Sequence, residues 1–380
     1  MSVPQTKQMR RAYGFDEVAI VPGDSTLNPA MTEINFRIDH LEFSLPITAA
    51  SMDAVVDSRF AAEFSKHGGL AVMNLEGLQT RYENPDALLE DVAHASPEES
   101  TALLQKAYAA PIREELIAKR ILQIKDAGGV AAVSCTPANT KRFASIAKDA
   151  GVDCFVVQST VTTARHMSYS EKGLVLSEIV QQLSPVPVVV GNAVSYNGCK
   201  ELMETGISGV LVGVGPGSAC TSREVLGIGV PQVTATLDCA VARDQHYQET
   251  GRYVPIITDG GIRSGGDMCK AFASGADAVM LGSIFAACEE APGRGHHWGM
   301  ATPNADLPRG IRVTVGVNTT LQQVLHGPSS RTNGTENLVG ALRTAMGMCG
   351  ARTIRDFQKA DMVLAPSIKT EGKQIQIAQR

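Results

Sequence analysis

The sequence predicts an α/β protein, and within that class a (β/α)8 TIM barrel that forms one catalytic domain over residues 1–380. Eight short apolar runs recur along the chain, each about the length of a buried strand. Helix-like stretches separate these runs, and such alternation is typical of a parallel sheet. Glycine accounts for 36 residues, which suits many tight strand-to-helix turns. A doubly wound sheet is the alternative, but eight repeats favour the barrel.

Each of the eight runs ends at a small or polar residue, where a loop would begin. The runs are Leu45–Ser51, Gly69–Asn74, Val130–Thr136, Cys154–Ser159, Val186–Asn192, Gly209–Gly215, Val254–Gly261 and Asp277–Ser283. The clearest helix-like stretches between them are Arg113–Ala127, Asn139–Ala150, Leu174–Leu183 and Gly265–Ser274. This pattern predicts parallel strands that all end at one mouth of the barrel.

The spacing of the runs is uneven, and the longest gap lies between Asn74 and Val130. Turn and helix-start signals within it, such as Ser96-Pro97-Glu98, predict extra helices rather than a second domain. After the eighth run, residues 290–314 are rich in Gly, Pro and His, and we expect an active-site loop or flap there. A helical pattern returns over 336–360, and 361–380 is predicted to be a polar C-terminal tail.

The composition indicates a soluble globular protein with 44% hydrophobic and 19% charged residues. Its net charge of −5 gives no basic surface for nucleic acid or for an anionic membrane. No apolar run approaches the length of a membrane span, and the N-terminus lacks the apolar core of a signal peptide. The eight cysteines form no Cys-x-x-Cys pair and no zinc-finger spacing. We therefore expect a cytoplasmic protein with reduced thiols and with no nucleic-acid or membrane partner.

One cysteine differs from the others because it follows a glycine-rich turn after the sixth run, in the segment Gly215-Pro216-Gly217-Ser218-Ala219-Cys220-Thr221-Ser222. Such a turn can present backbone amides to an anion or carbonyls to a cation. A thiol held there is placed for nucleophilic attack, although most lone cysteines are small core side chains.

The polar residues that end the runs would meet at the mouth, where TIM-barrel enzymes carry their active sites. They are Ser51, Met52, Asp53, Asn74, Thr136, Gln158, Asn192, Cys220, Asp259 and Ser283. Loops after the last two strands often bind phosphate, and Gly260, Gly261, Gly282 and Ser283 fit that role, with Ser218 adding a hydroxyl. A carboxylate beside a phosphate suits ribose hydroxyls better, so Asp259 is predicted to hold a ribose.

The residues alone thus predict a barrel enzyme that binds a phosphorylated, ribose-like ligand near a reactive thiol. Two readings remain open at this point. One is covalent cysteine catalysis on a nucleotide base, and the other is a phosphosugar enzyme in which the thiol plays no part. Plain turn geometry for the glycines, and a helix cap or a salt bridge for Asp259, are the structural alternatives.

Several long segments resemble the IMP dehydrogenase/GMP reductase family. They are Gly213–Thr221, Gly227–Gln232, Asp259–Asp267, Ala276–Ser283, Glu290–Gly293 and Ser51–Asp53. The resemblance covers most of the chain and implies a (β/α)8 barrel, usually tetrameric or octameric. It also implies that Cys220 attacks C2 of the purine in a nucleoside monophosphate (IMP, XMP or GMP), in guanine nucleotide biosynthesis, with a hydride moving to or from a nicotinamide cofactor.

The resemblance carries further roles to matching positions. Asp259 would hold the ribose, and Ser218, Gly261, Gly282 and Ser283 the phosphate. Trp298, Gly299 and Met300 resemble the segment that contacts the base, and Asn192 would lie near the nicotinamide. The carbonyls of Gly215, Gly217 and Cys220 are candidates for a potassium site.

The chain also departs from the family pattern. Residues 75–129 are too few for the regulatory (CBS) domains that many dehydrogenases carry. The cofactor-side aspartate after strand four is Gln158, and the basic residue of strand six is Leu211. Arg309 could supply the flap arginine that activates water, but no tyrosine follows it.

The two activities of the family differ in whether water or ammonia completes the cycle. A reductase usually needs a Thr/Glu pair, whereas this chain has Ser222 and no evident glutamate near 307–314. The Gly227–Gln232 and Glu290–Gly293 segments are dehydrogenase-like. We therefore expect an NAD-dependent IMP dehydrogenase, with GMP reductase as the alternative and a non-catalytic nucleotide-binding regulator as a third hypothesis.

Overall fold

A computed structural model describes residues 9–166, 173–299 and 311–366, together with 373 and 375. Its centre is a closed barrel of eight parallel strands, so the predicted fold class is confirmed. Each of the eight apolar runs overlaps one barrel strand, and only the fifth barrel strand extends beyond its run, by one residue to Ala193.

The strands are numbered along the chain, and the barrel consists of β4 to β11. The ranges are β1 (Val18–Ile20), β2 (Phe36–Ile38), β3 (Leu41–Phe43), β4 (Ile47–Ala49), β5 (Leu70–Asn74), β6 (Ala132–Cys135), β7 (Cys154–Gln158), β8 (Val188–Ala193), β9 (Gly209–Val212), β10 (Ile256–Asp259), β11 (Ala278–Leu281), β12 (His296–His297), β13 (Val313–Thr314) and β14 (Met362–Leu364). Neighbouring barrel strands follow chain order, and β11 closes the barrel against β4.

Helices follow the barrel strands and cover the outside of the barrel. Their ranges are α1 (Ser58–Lys66), α2 (Asp86–His94), α3 (Pro97–Ala109), α4 (Glu114–Asp126), α5 (Pro137–Asp149), α6 (Leu176–Leu183), α7 (Tyr196–Glu204), α8 (Ser222–Leu226), α9 (Gln232–Thr250), α10 (Gly265–Ala273), α11 (Ser283–Ala286), α12 (Leu321–His326), α13 (Leu338–Met348) and α14 (Ile354–Phe357). Short polar side chains begin several of them. For example, the Asp57 Oδ1 accepts the backbone N–H of Phe60 at 2.7 Å at the start of α1.

Alternate residues of the barrel strands face two separate apolar cores, as the two-residue period of a strand requires. On β7, Val156 packs with Val189, Leu211 and Ile257 inside the barrel. Its neighbour Val157 packs outward, in the layer between strands and helices. Leu211, the residue that replaces the family's basic side chain, therefore fills the barrel interior.

The long gap between β5 and β6 holds helices α2, α3 and α4, which confirms the prediction of extra helices there. The expected loop 290–314 includes a two-stranded antiparallel ribbon, in which His296 pairs with Thr314. The predicted tail starts with β14, whose Leu364 pairs with Val18 of β1. Three residues are too short a stretch to show a period, so this strand could not be predicted from the sequence pattern.

Three small polar residues mark the rim at which the strands begin. Each lies at the start of one barrel strand and accepts the backbone N–H at the start of the preceding one. The pairs are Asp153 with Ala131 (2.8 Å), Ser208 with Val188 (3.2 Å) and Asp277 with Ile256 (2.9 Å). Each acceptor follows a glycine two residues earlier, so one Gly-x-Asp/Ser pattern recurs along the chain.

Among the residues that the structure describes, we find no helix that combines the length and the apolar character needed to cross a membrane.

Candidate active site

The carboxyl ends of the barrel strands, with the loops that follow them, form the mouth of the barrel. The structure brings most of the predicted site residues into two groups here. One is a chain of polar side chains from Ser51 to Asp259. The other is the cysteine loop, residues 213–230, which lies against the glycine turn after β10.

Asp259 ends β10 and accepts two side-chain amides on one oxygen. The Asn192 Nδ2 donates to its Oδ2 at 2.8 Å, and the Gln158 Nε2 donates to the same oxygen at 3.1 Å. The Gln158 Nε2 also donates to the Asn192 Oδ1 at 3.2 Å, and the Ser51 hydroxyl donates to the Gln158 Oε1 at 2.8 Å. Four barrel strands thus contribute to one hydrogen-bonded chain, and the Asp259 Oδ1 makes no hydrogen bond to another described residue.

The position of Asn192 follows from an irregularity in β8. The pairing of β8 with β9 shifts register between Gly191 and Ala193, so Asn192 is the extra residue of a bulge. A bulge changes the direction of a side chain relative to the regular pleat. Here the Asn192 amide is directed to Asp259, a contact that the sequence pattern could not predict.

Burial raises the pKa of the Asp259 carboxyl to about 6, and the hydrogen bond from Asn192 offsets part of this shift. At neutral pH the carboxylate is the main form, with one oxygen held by amides. A carboxylate in this state can accept hydrogen bonds from the two hydroxyls of a ribose.

Two hydroxyls predicted to bind phosphate lie next to each other. The Ser218 Oγ of the cysteine loop and the Ser283 Oγ at the start of α11 are 2.8 Å apart. They come from residues 65 positions apart in the chain, so the fold creates this pair. Two adjacent hydroxyls that can both donate are suited to an anionic oxygen.

The glycine turn after β10 packs directly against the cysteine loop. Gly260 and Gly261 both have positive φ angles, of 84° and 78°, which favour glycine. A Cβ on Gly260 would lie 3.2 Å from the Pro216 Cγ, and one on Gly261 would lie 3.0 Å from the Pro216 Cβ. Close backbone approach therefore requires both glycines and joins the ribose and cysteine segments.

Cys220 is exposed, whereas the other cysteines are buried or half-buried. Its thiol donates to the Ser222 Oγ at 3.3 Å, and its backbone N–H donates to the Gly217 carbonyl at 3.1 Å in a tight turn. Ser222 is only 3% exposed. The structure thus presents the predicted nucleophile to solvent with a hydroxyl beside it.

Two residues that stabilise the cysteine loop carried no signal as site residues in the sequence. Gln232 donates from its Nε2 to the carbonyls of Val212 at 2.6 Å and Asp259 at 3.2 Å, and so joins the ends of β9 and β10. The side chain of Arg223 passes across Gly215 and donates to the carbonyl of Val230 at 2.9 Å. Gln232 ends the Gly227–Gln232 segment that resembles the family, but that resemblance assigns it no role, and only the fold shows which carbonyls it contacts.

The base-contact prediction needs a correction at Trp298. Its side chain is 1% exposed, packs among apolar residues of the interior, and donates from Nε1 to the Tyr108 hydroxyl at 2.8 Å. The indole therefore does not face the mouth, because its large apolar surface is buried by helices that follow β5. Gly299 follows it directly, whereas Met300 and Arg309 lie outside the described residues.

Gln158 and Asn192, the two residues predicted on the cofactor side, differ in whether their side-chain amides keep a free N–H. Both N–H groups of the Gln158 amide are taken by Asn192 and Asp259, so Gln158 orients its neighbours. Asn192 uses one N–H on Asp259 and keeps a second, which could donate to a carboxamide such as that of nicotinamide. Among the described residues, no three His, Cys, Asp or Glu side chains converge as a metal site. Potassium on the loop carbonyls stays a prediction.

Comparison with known proteins agrees with this geometry. The family model described as IMP dehydrogenase / GMP reductase domain matches residues 12–372. An uncharacterized oxidoreductase of Mycobacterium leprae is 39% identical, over 94% of this chain and 97% of that protein. An inosine-5'-monophosphate dehydrogenase of Rhizobium tropici is 30% identical, over 92% of this chain and 90% of its own.

A solved structure is also similar over nearly the whole chain. The crystal structure of an IMP dehydrogenase/GMP reductase-like protein from Corynebacterium glutamicum superposes with a TM-score of 0.89 and 36% sequence identity. The match covers 96% of this chain and 97% of that one. With the family match and the barrel mouth described above, this identifies the chain as an oxidoreductase of the IMP dehydrogenase/GMP reductase family.

Proposed function

We propose that this protein is an NAD-dependent IMP dehydrogenase that oxidises inosine 5'-monophosphate to xanthosine 5'-monophosphate. The observation that carries the proposal is the joint placement of three groups at one mouth. Cys220 is exposed, the Ser218 and Ser283 hydroxyls are paired, and Asp259 keeps one oxygen open. These suit, in order, the purine base, the phosphate and the ribose of one nucleotide.

The chemistry begins with the thiolate of Cys220 attacking C2 of the purine. NAD+, when bound, supplies the acceptor for the hydride that leaves C2. The product of this step is a covalent thioimidate between Sγ and C2. Water then adds to C2 with loss of a proton, and cleavage of the C–S bond releases xanthosine 5'-monophosphate and restores the thiolate. The balance is IMP, NAD+ and water to XMP, NADH and a proton.

Two features of the site support a dehydrogenase over a GMP reductase. The side-chain partner of the Ser222 hydroxyl is the Cys220 thiol, and within the described ranges no glutamate contacts that hydroxyl. The Glu290 carboxylate accepts the backbone N–H of Leu321 at 3.0 Å, so it is engaged at the start of α12. A Thr/Glu-type pair for ammonia is therefore not assembled by these residues. Arg309 remains our proposal for the group that activates water.

The proposal is tested by absorbance at 340 nm. Purified protein with IMP and NAD+ is expected to form NADH, with XMP as the second product by chromatography. NADPH consumption with GMP, and none of the first reaction, would establish the reductase instead. No change in absorbance in either assay, together with tight IMP binding by calorimetry, would establish a non-catalytic binding protein.

We also propose a homo-oligomer, a tetramer or an octamer, and activation by potassium at the loop carbonyls. The outer surface of α9 exposes Leu237 by 43% and Val241 by 59%, one turn apart. Exposed apolar side chains at this spacing favour contact with another subunit. Light scattering gives the mass of the assembly, and replacing K+ with Na+ in the NADH assay tests the ion.

A further inference from the structure

The two helices that follow β5 contact the segment that leads to the predicted base-binding residues. We call α2 and α3, residues 86–109, the insert hairpin. Its apolar side chains include Leu89, Val92, Leu104 and Ala107, and Trp298 is buried among them. The hairpin lies where many members of the family carry regulatory domains, but here it packs on the catalytic barrel itself.

A buried hydrogen-bonded chain runs from this tryptophan to the loop that follows the first barrel strand. The Trp298 Nε1 donates to the Tyr108 hydroxyl at 2.8 Å, and Tyr108 donates to the Asp53 Oδ2 at 2.6 Å. The same carboxylate oxygen accepts the backbone N–H of Leu78 at 2.6 Å. Asp53 follows Ser51 and Met52 on the loop after β4, so the chain connects two loops of the mouth through the hairpin.

Polar contacts at the edge of the hairpin hold the same segment on both sides of residues 300–310. Arg294 forms an ion pair with Glu90, and the Arg312 guanidinium donates to the carbonyl of Val92. Both partners lie on α2. The β12–β13 ribbon is therefore fixed to the insert hairpin at Arg294, Trp298 and Arg312.

We infer that the insert hairpin positions the backbone at Gly299 for the purine base, with Tyr108 and Trp298 as its positioning residues. This inference rests on the proposed function and on the family resemblance, which implies that Gly299 contacts the base. The indole fixes the chain one residue before Gly299, and the Tyr108 hydroxyl fixes the indole. A loss of that hydroxyl leaves the Trp298 N–H buried without its acceptor, which frees the segment to shift.

The test uses Tyr108→Phe, with Tyr82→Phe as a matched control. The Tyr82 hydroxyl donates to the carbonyl of Ala107 on the insert hairpin at 3.0 Å, and among the described residues it forms no hydrogen bond with Trp298. Calorimetry measures binding of IMP and of ribose 5-phosphate, which lacks the base. We expect Tyr108→Phe to weaken IMP binding by about three- to tenfold and to leave ribose 5-phosphate unchanged. Tyr82→Phe is expected to change neither.

Other outcomes overturn the inference. Equal weakening of both ligands would show a general structural role, and unchanged IMP binding would show that Tyr108 does not act on the base site. If Tyr108→Phe does not fold, Glu90→Gln removes the surface ion pair with Arg294 and is measured in the same way, with the same expected direction. Wild-type protein that binds ribose 5-phosphate as tightly as IMP would instead contradict the proposed function.

Discussion

The two rims of the barrel hold their carboxylates in opposite ways. At the amino-terminal rim, Asp277 accepts the Arg243 guanidinium on Oδ2 at 2.7 Å and the Tyr253 hydroxyl on Oδ1 at 2.5 Å. At the mouth, Asp259 receives two neutral amides on one oxygen, and its other oxygen is open. The first carboxylate is paired with a charge, while the second is not.

The pKa shifts follow this difference. Burial alone would lower the pKa of the Arg243 guanidinium, but Asp277 raises it, with a further contribution from Asp244. Burial raises the pKa of Asp259 to about 6 without a charged partner to oppose it. The Asp277 rim therefore pairs its buried charges with each other, whereas the mouth keeps the Asp259 carboxylate without a charged partner, at a cost in stability.

The largest effect in this comparison is expected at the mouth, in Cys220→Ala. Removal of the nucleophile should lower kcat by about 10⁴-fold or more, because no thioimidate can form. IMP should still bind, and intact mass should show no adduct. Cys349→Ala, at the end of α13, is the control and should keep full turnover. Near-normal NADH formation by Cys220→Ala would exclude the nucleophile assignment.

At the opposite rim, Asp277→Ala should act on stability alone. It leaves the buried Arg243 charge without its main partner and removes the acceptor for the N–H of Ile256. We expect a loss of about 3–5 kcal/mol in the free energy of unfolding, measured in urea. The KM for IMP of the folded enzyme should not change. A loss below about 1 kcal/mol, or a raised KM, would contradict the division between the rims.

Asp259→Asn should change function and stability in opposite directions. Loss of the carboxylate should weaken IMP binding by about 100-fold, since two ribose hydroxyls lose an ionised acceptor. The folded pKa of Asp259 lies above its unfolded value, so wild-type stability falls as pH rises from about 4 to about 6. The variant lacks this penalty and should be more stable by about 3 kcal/mol at pH 7.5, because a pKa raised from about 4 to about 6 corresponds to that free energy, with nearly equal stability near pH 4.

Urea unfolding at pH 4 and pH 7.5 measures the stability difference between the variant and the wild type, and calorimetry measures IMP binding. A variant that is less stable than wild type at pH 7.5 would show that Asp259 is a structural residue. Unchanged IMP binding would exclude the ribose role.

The positions of the barrel strands and of the residues at the mouth could largely be predicted from sequence, because each barrel strand ends where an apolar run meets a polar residue. Local sequence pattern predicts the eight strands, the exposed Cys220 in its glycine turn, and Asp259 at the end of its strand. The partners could not be predicted in this way. The amide of Asn192 reaches Asp259 only through the bulge in β8, and Ser218 meets Ser283 across 65 residues. The motif that Trp298 and its neighbours resemble predicts a contact with the base, whereas tertiary packing buries the Trp298 side chain.

The smallest predicted effect concerns Gln158, which joins the open carboxylate to the rest of the mouth. Gln158→Leu removes one of the two amides on Asp259 and keeps a similar volume, so IMP binding should weaken by about three- to tenfold. Binding of 2'-deoxy-IMP should weaken less, because it presents one hydroxyl fewer to Asp259.

Gln158→Glu retains the acceptor for Ser51 but places a second carboxylate near Asp259. It should raise the pKa of Asp259 and move the acid limit of IMP binding to higher pH. Suppose that both variants weaken the binding of IMP and of 2'-deoxy-IMP equally and leave the pH dependence of IMP binding unchanged. Gln158 then only supports the fold, and Asn192 alone orients the Asp259 carboxylate.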